Sequence, residues 1–82
     1  MPLNELAVPE RIVGEKEVRR AMAEGLLKKI FVASDADSKR RDRLLNEAKE
    51  AVVDIEMVDC RIKLGRACAI DRPAEAAGLL KR

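Results

Sequence analysis

Residues 14–25 read GEKEVRRAMAEG, the pattern of an amphipathic helix bracketed by two glycines. Small and apolar residues recur at the i, i+3, i+4 and i+7 spacing of one buried helix face, namely Val18, Ala21, Met22 and Gly25. Basic residues occupy the other faces of the first two turns, namely Lys16, Arg19 and Arg20. We therefore expect a helix that begins after Gly14 and stops near Gly25, since glycine is common just past helix ends.

The start of this predicted helix concentrates positive charge. A helix N-terminus presents unpaired N–H groups and the positive end of the helix dipole, so basic side chains are usually avoided there. Their accumulation suits an RNA phosphate or the acceptor edge of guanine. An ordinary solvated helix face, with Glu15 and Glu17 as first-turn acids, explains the same pattern, and this stretch alone favours that interpretation.

The composition predicts one small domain, residues 1–82, with a modest core. A chain of 82 residues buries only about 60–65% of its unfolded surface. The net charge is only +2, but Lys and Arg cluster at 16–20, 28–29, 39–43 and 61–66, so any nucleic-acid footprint should be a patch. The only aromatic residue is Phe31, which excludes modules that stack several bases on aromatic rings.

The usual residues of catalytic and metal sites are missing from the sequence. There is no His and no Tyr, and Cys60 and Cys68 have neither an imidazole partner nor CxxC spacing. We therefore expect no enzyme activity, no zinc site and no cofactor. On one helix the two cysteine Cα atoms would lie about 12 Å apart, too far for a disulfide. With no 18-residue apolar run and no secretory signal pattern, we expect a cytoplasmic protein.

Strand and helix patterns alternate along the chain. The predicted elements are a short helix or turn in residues 1–10, an extended run 11–13, the helix in 14–25, a strand 26–34, a helix from about 38 to 51, a strand 53–58, a helix 60–68, a loop 69–75 and a strand 76–80. Such alternation implies crossover connections and helices on both faces of the sheet. We therefore predict a three-layer α-β-α sandwich with a four-stranded, mostly parallel mixed sheet.

Local rules predict several details of these elements. Asp37 or Ser38 should cap the second helix, and Asp59 should cap the third. The inner stripe of the second helix should consist of Leu44, Leu45, Ala48, Ala51 and Val52. Arg43 and Glu47 have the i, i+4 spacing of an exposed ion pair.

The start of the first helix and the loop over residues 69–75 could lie at the same edge of the sheet. In open α/β sheets, ligands gather at one edge, where the loops converge. That edge would combine charged residues of a rigid helix with an irregular loop, namely Lys16, Glu17 and Arg20 with Ile70, Arg72 and Pro73.

Two spaced motifs in the chain resemble those of a known family. Gly14, Lys16, Glu17 and Arg20 match G-x-[NK]-[EQ]-x-x-[KR] at a helix start, and residues 64–68 match LG[KR]A[AC] before a loop. With the intervening elements, residues 10–80 resemble the kink-turn-binding family of large-subunit ribosomal proteins. This is the "seven-Ae" type, which shares a fold with the "thirty-e" type, and the similarity is greatest to its small bacterial branch.

This resemblance implies binding to a kink-turn, an RNA that bends sharply at a three-nucleotide bulge flanked by tandem sheared G·A pairs. In the family, the helix start contacts the guanines and the loop packs against the bulged nucleotides. The RNA-binding residues that it implies are Gly14, Glu15, Lys16, Glu17, Arg20, Ile70, Asp71, Arg72, Pro73 and Ala74. Lys28, from the basic pair Lys28–Lys29, is a weaker candidate for phosphate contact, and a solvated surface position is the favoured alternative for it. The implied partner is a structured RNA, either ribosomal RNA or a regulatory leader, bound by a monomer without membrane or small-molecule substrate.

Several residues depart from the pattern of the family. Glu15 places a negative charge beside the RNA and should weaken binding. Val52 and Ala69 stand where the family usually has glycine, and Arg72-Pro73 replaces a softer apolar pair. The alternative function is therefore a structural or protein-interaction subunit with weak or lost RNA binding. A steep fall of RNA affinity with salt would distinguish the two, because phosphate contacts release counterions.

Overall fold

The computed structural model describes residues 10–81, in which four strands and three helices follow one another. The strands are β1 (Arg11–Val13), β2 (Leu27–Ala33), β3 (Asp54–Val58) and β4 (Ala76–Leu80). The helices are α1 (Glu15–Ala23), α2 (Ser38–Glu50) and α3 (Arg61–Ala67). The short helix or turn that was predicted for residues 1–10 lies outside the described residues, apart from residue 10.

The four strands form one mixed sheet in the order β1-β4-β2-β3. β2 pairs with β3 in parallel, but β4 is antiparallel to both of its neighbours, β1 and β2. The prediction of a four-stranded mixed sheet is confirmed, whereas the prediction that it is mostly parallel is wrong. Helical crossovers do make β1, β2 and β3 run in one direction, as expected. The difference arises because β4 inserts between β1 and β2 and runs the other way.

Helices cover both faces of the sheet, which confirms the three layers. On one face, α1 and α2 pack against alternate residues of β2, and the buried cluster comprises Val18, Ala21, Met22, Leu27, Ile30, Val32, Leu44, Ala48 and Ala76. On the other face, α3 covers a cluster comprising Phe31, Ala33, Ala36, Val58, Leu64, Cys68, Ala74, Ala77 and Leu79. Burial of each large aliphatic or aromatic side chain stabilises the fold by about 1.5–3 kcal/mol. Cys60 and Cys68 are both free thiols.

Helix caps agree with the sequence rules at α1 and α2 and differ at α3. Gly25 adopts a φ of +71° just after α1, and the Asp37 carboxylate accepts a hydrogen bond from the Arg40 N–H at 3.2 Å. The predicted cap Asp59 instead pairs with Lys63, and Cys60 occupies the N-cap position. The Arg61 N–H donates to Asp35 Oδ1 at 2.9 Å, so a loop residue distant in sequence supplies the cap.

The sequence predicts that Val52 belongs to the inner stripe of α2, but this prediction is wrong. The helix ends at Glu50, and Val52 follows in the left-handed region with a φ of 57° and 90% exposure. The bend carries its side chain, and that of Ala51, away from the core. Val52 is one of the positions where the family usually has glycine, and the positive φ explains that preference because β-branched residues are strained there.

Replacement of Val52 by glycine is expected to raise the free energy of unfolding by about 1 kcal/mol. Glycine relieves the strain at φ 57°, and the exposed valine contributes almost no packing that would be lost. Urea unfolding followed by circular dichroism measures the change. Ala51→Gly is the matched control, since Ala51 has a φ of −85° and glycine should destabilise that position. A Val52→Gly protein no more stable than the original would contradict this account of the turn.

Candidate nucleic-acid interface

Three helix starts and one loop meet at the same edge of the sheet. β1, β2 and β3 run in the same direction, so each reaches this edge at its C-terminal end and is followed there by a helix. β4 begins at the same edge, directly after the loop over residues 69–75. We call the start of α1, residues 14–20, together with this loop the candidate edge. It lies where open α/β sheets place their ligands.

Backbone hydrogen bonds join the start of α1 to β4 and the end of the loop to β2, so the sheet holds the two parts of the candidate edge in place. The Gly14 N–H donates to the Ala76 carbonyl oxygen at 2.9 Å, and the Ala33 N–H donates to the Glu75 carbonyl oxygen at 3.0 Å. The start of α1, the end of the loop and the end of β2 are therefore held together through the backbone. The juxtaposition predicted from the sequence is confirmed, and one ligand can reach both parts.

An open depression of about 370 Å³ lies between the start of α1 and the loop. The residues that line it are Val13, Gly14, Glu15, Arg61, Arg72, Pro73, Ala74 and Glu75. Arg61 and Glu75 were not among the site residues predicted from the sequence. Arg61 belongs to the basic cluster at 61–66, which signalled a surface patch, but only the fold shows that the first residue of α3 faces α1.

The loop is held rigidly against α3. The Ile70 N–H donates to the Gly65 carbonyl oxygen at 3.1 Å, and the Ala74 N–H donates to the Arg61 carbonyl oxygen at 3.0 Å. A Cβ atom on Gly65 would lie 2.1 Å from the carbonyl oxygen of Arg72, so glycine is required for this close approach. The loop therefore presents a preformed surface. Its first residue, Ala69, has a φ of 62° and is another position where the family usually has glycine.

The loop residues divide between the two sides of the loop. Pro73 and Ala74 line the depression, although Ala74 is only 4% exposed and contributes mainly backbone. Ile70 and Asp71 face a neighbouring depression of about 310 Å³, which Ile62 and Arg66 also line. Arg72 and Pro73 border both depressions and form the crest between them. The predicted loop residues are thus presented on a continuous surface.

The exposed face at the start of α1 carries basic side chains in two different settings. Lys16 is exposed and forms no ion pair with any residue between 10 and 81. Arg20 and Glu17 form an exposed ion pair, with the Arg20 guanidinium donating to a Glu17 carboxylate oxygen. The carboxylate uses one N–H group of that guanidinium, which leaves further donors for a ligand. Gly14 has no side chain to cap α1, and within residues 10–81 no side chain caps its first N–H groups.

The side chain of Arg19 extends toward α2 and not toward the loop. Its Nε lies 3.0 Å from Glu47 Oε1 and its Nη2 lies 3.1 Å from Glu47 Oε2. Arg19 Nη1 also lies 3.6 Å from Glu15 Oε2, and the Glu15 side chain is 15% exposed. The hydrogen bonds and charge of Glu47, and more weakly the charge of Glu15, raise the pKa of Arg19. Arg19 therefore links the two helices and offsets the negative charge that Glu15 adds beside the depression.

Lys28 lies at the opposite edge of the sheet from the other predicted site residues. It is the second residue of β2, whose first residue pairs with Leu80 at the end of β4. The five residue steps from Lys28 to Ala33 span roughly 17 Å of extended strand. The structure therefore does not bring Lys28 to the candidate edge. The sequence placed it there because the Lys28–Lys29 pair is basic, without knowledge of which end of the strand faces the loop.

Together these features define a small three-layer α/β domain with a charged surface at one sheet edge, formed by the start of α1 and the loop. Within residues 10–81 there is no cluster of side chains able to hold a metal ion and no helix long and apolar enough to cross a membrane. The chain belongs to the ribosomal protein L7Ae/L30e/S12e/Gadd45 family, whose model matches residues 7–82. The resemblance read from the two motifs is thereby confirmed.

Similar proteins have related sequences and the same fold. An RNA-binding protein of Geobacillus sp. (strain WCH70) is 38% identical over 76 residues, which is 93% of each chain. The RNA-binding protein YbxF of Geobacillus stearothermophilus is 37% identical over 70 residues, or 85% of each chain. A 15.5kD RNA-binding protein of Giardia lamblia has a TM-score of 0.86 at 21% identity, covering 98% of this chain and 68% of its own. A Bacillus halodurans protein of unknown function has a TM-score of 0.86 at 23% identity, over 96% and 83% of the two chains.

Proposed function

We propose that this chain binds RNA through the candidate edge and recognises kink-turns. The observation that carries the proposal is the depression shared by the start of α1 and the loop, which brings the first family motif beside the loop that follows the second. The relatives named as RNA-binding proteins support the partner class. We also propose that it acts as a cytoplasmic monomer and that its RNA is ribosomal or a regulatory leader.

The exposed side chains of α1 supply the donors that the guanines of sheared G·A pairs require. The major-groove edge of guanine offers only acceptors, O6 and N7, which match the ammonium of Lys16 and the guanidinium of Arg20. Glu17 can only accept, so its role is to hold Arg20 in position or to accept from a base amine. The first N–H groups of α1 favour a phosphate nearby.

The depression between α1 and the loop is the proposed place for a bulged nucleotide. Arg61 and Arg72 line it and can pair with the phosphate of that nucleotide, whereas Glu75 can accept from a base N–H. The rigid loop on α3 means that little of the protein has to move on binding. Binding then shifts the RNA from extended to bent conformers by differential affinity for the bent form.

The alternative, a protein-interaction subunit without RNA binding, drew support from Glu15. The ion pair of Glu15 with Arg19 counts against it, because the charge that would repel phosphate is partly neutralised.

Electrophoretic mobility shift with a standard kink-turn and with a copy whose G·A pairs are disrupted tests the proposal. We expect clear preference for the intact motif and an affinity that falls steeply with salt. Equal affinity for the two RNAs would contradict kink-turn recognition, and no binding would favour the alternative.

Replacement of Pro73 by alanine is expected to change the preference among kink-turns with different bulge sequences. Pro73 is exposed on the crest of the loop between the two depressions, so it would contact bulged nucleotides and not the G·A pairs. Fluorescence titration against three bulge variants measures the effect. Lys28→Ala at the opposite edge serves as the control and should leave all three affinities unchanged. If Pro73→Ala weakens binding to plain duplex RNA by the same factor, the role assigned to the loop is wrong.

A further inference from the structure

The first turns of α2 form a strongly basic surface that the proposed site does not use. Residues 39–43 read KRRDR, with four basic residues and one acid. The first turn of α2 contains no acidic residue, although acids are favoured at helix starts. The Asp37 carboxylate already caps the Arg40 N–H at 3.2 Å. The positive charge here therefore comes from side chains and not from open backbone groups.

One of the four basic residues has a structural role that accounts for it. Arg41 is half-buried, and its Nη1 donates to the Ser34 carbonyl oxygen at 2.8 Å, which ties α2 to the end of β2. The remaining three side chains are exposed and form what we call the α2 basic patch, namely Lys39, Arg40 and Arg43. Arg40 pairs with Glu75, whereas Lys39 and Arg43 make no ion pair or hydrogen bond through their side chains within residues 10–81.

Lys39 and Arg43 have no counter-charge among residues 10–81. Neither forms an ion pair with any residue of the described chain, and Glu47, the predicted partner of Arg43, is engaged by Arg19 instead. Their i, i+4 spacing places two like charges side by side on one helix face, which disfavours the helix by itself. A polyanion that lies across both side chains would turn this repulsion into a favourable contact.

The α2 basic patch adjoins the candidate edge. Arg40 Nη1 lies 3.3 Å from Glu75 Oε1, and Glu75 lines the depression between α1 and the loop. Because α2 begins at the same sheet edge as α1, a ligand bound in the depression can continue over the patch without crossing the body of the domain.

We propose that the α2 basic patch binds the phosphate backbone of the same RNA, on the arm that leaves the depression on the α2 side. This inference rests on the proposed function, because it takes the RNA to be seated at the candidate edge. The patch offers point charges and flexible side chains without a base-reading geometry. It should therefore contribute affinity and salt dependence to binding, and not discrimination between RNA sequences.

The double variant Lys39→Gln/Arg43→Gln tests this proposal against the control Lys49→Gln. Lys49 is exposed in the last turn of α2, far from the candidate edge. Affinity for a kink-turn is measured at several salt concentrations, with thermal melting of each variant as a check of folding. We expect the slope of log affinity against log salt to fall by about two in the double variant and to stay unchanged in the control. Shortening one arm of the RNA should abolish the difference between the double variant and the original.

The two proposals fail in different measurements. An unchanged salt slope in the double variant would overturn the role of the α2 basic patch. So would an affinity difference between the double variant and the original that remains when each RNA arm in turn is shortened. Both results would leave the proposed function intact. Loss of preference for intact G·A pairs in the original protein would overturn kink-turn recognition instead. The double variant should keep the same preference ratio between intact and disrupted kink-turns, and a large change in that ratio would also contradict a purely phosphate-binding patch.

Discussion

Gly65→Ala is expected to lower the free energy of unfolding by about 2–3 kcal/mol and to weaken RNA binding at the same time. Alanine normally stabilises a helix interior relative to glycine, by about 1 kcal/mol. Here the added Cβ would lie 2.1 Å from the backbone carbonyl oxygen of Arg72, which cannot move without displacing the loop. A lower free energy of unfolding would therefore indicate the tight packing of the loop on α3, whereas a higher one would indicate ordinary helix propensity.

Urea unfolding and RNA titration of the Gly65→Ala protein measure the two effects. Displacement of the loop would break the hydrogen bonds that Ile70 and Ala74 donate to α3, so the surface opposite α1 should lose its shape. Ile62→Ala is the control on the same helix, because Ile62 is 55% exposed and its loss should cost little stability. A Gly65→Ala protein of equal or greater stability would contradict the tight approach of loop and helix.

Arg20→Ala is expected to weaken kink-turn binding by about 1–3 kcal/mol, or roughly 5- to 150-fold. The change removes a donor that faces the proposed guanines, and it also leaves the Glu17 carboxylate without its cation beside a polyanion. Lys16→Ala removes only a donor and should therefore cause a smaller loss of RNA affinity. Stability should change little in either variant, since exposed ion pairs contribute only about 0–1 kcal/mol.

The contribution of Glu17 can be separated by a double-mutant cycle with Glu17→Gln. If Glu17 holds Arg20 in position, the loss caused by Arg20→Ala should be smaller in the Glu17→Gln background. Lys28→Ala at the opposite edge should bind like the original protein. Equal losses for Lys28→Ala and Arg20→Ala would indicate general attraction to charge instead of contact at the candidate edge, and would contradict the assignment.

Local sequence patterns predicted the elements of this fold well because the signals lie within each element. Short windows of sequence show three of these signals. They are the apolar second half of β2, the Asp37 cap of α2 and the small-residue face of α1. The strand order is not, because β4 pairs with β1 and β2 through contacts far apart in sequence. Alternation of strands and helices therefore predicted the direction of β1, β2 and β3 correctly and the share of parallel pairing wrongly.

Ion pairs between residues far apart in the sequence could not be predicted from local patterns either. The i, i+4 rule predicted Arg43 with Glu47, but Glu47 accepts two hydrogen bonds from Arg19 of α1. Val52 was predicted to be buried from helical periodicity, although its unusual place in the family pattern already indicated a turn that favours glycine. Arg61 and Glu75 could not be assigned to the site from the sequence, because only the folded edge brings them beside Gly14.

Titration of the isotope-labelled protein with a kink-turn RNA, followed by backbone amide signals, shows whether the RNA binds at the candidate edge. We expect the largest chemical-shift changes on residues 14–20 and 70–75 together with Arg61, and no change at Lys28. Disruption of the G·A pairs in the RNA should abolish these changes. Met22 and Ala51 line a separate depression between α1 and α2. Chemical-shift changes confined to that depression, or to the outer edge of β3, would contradict RNA binding at the candidate edge.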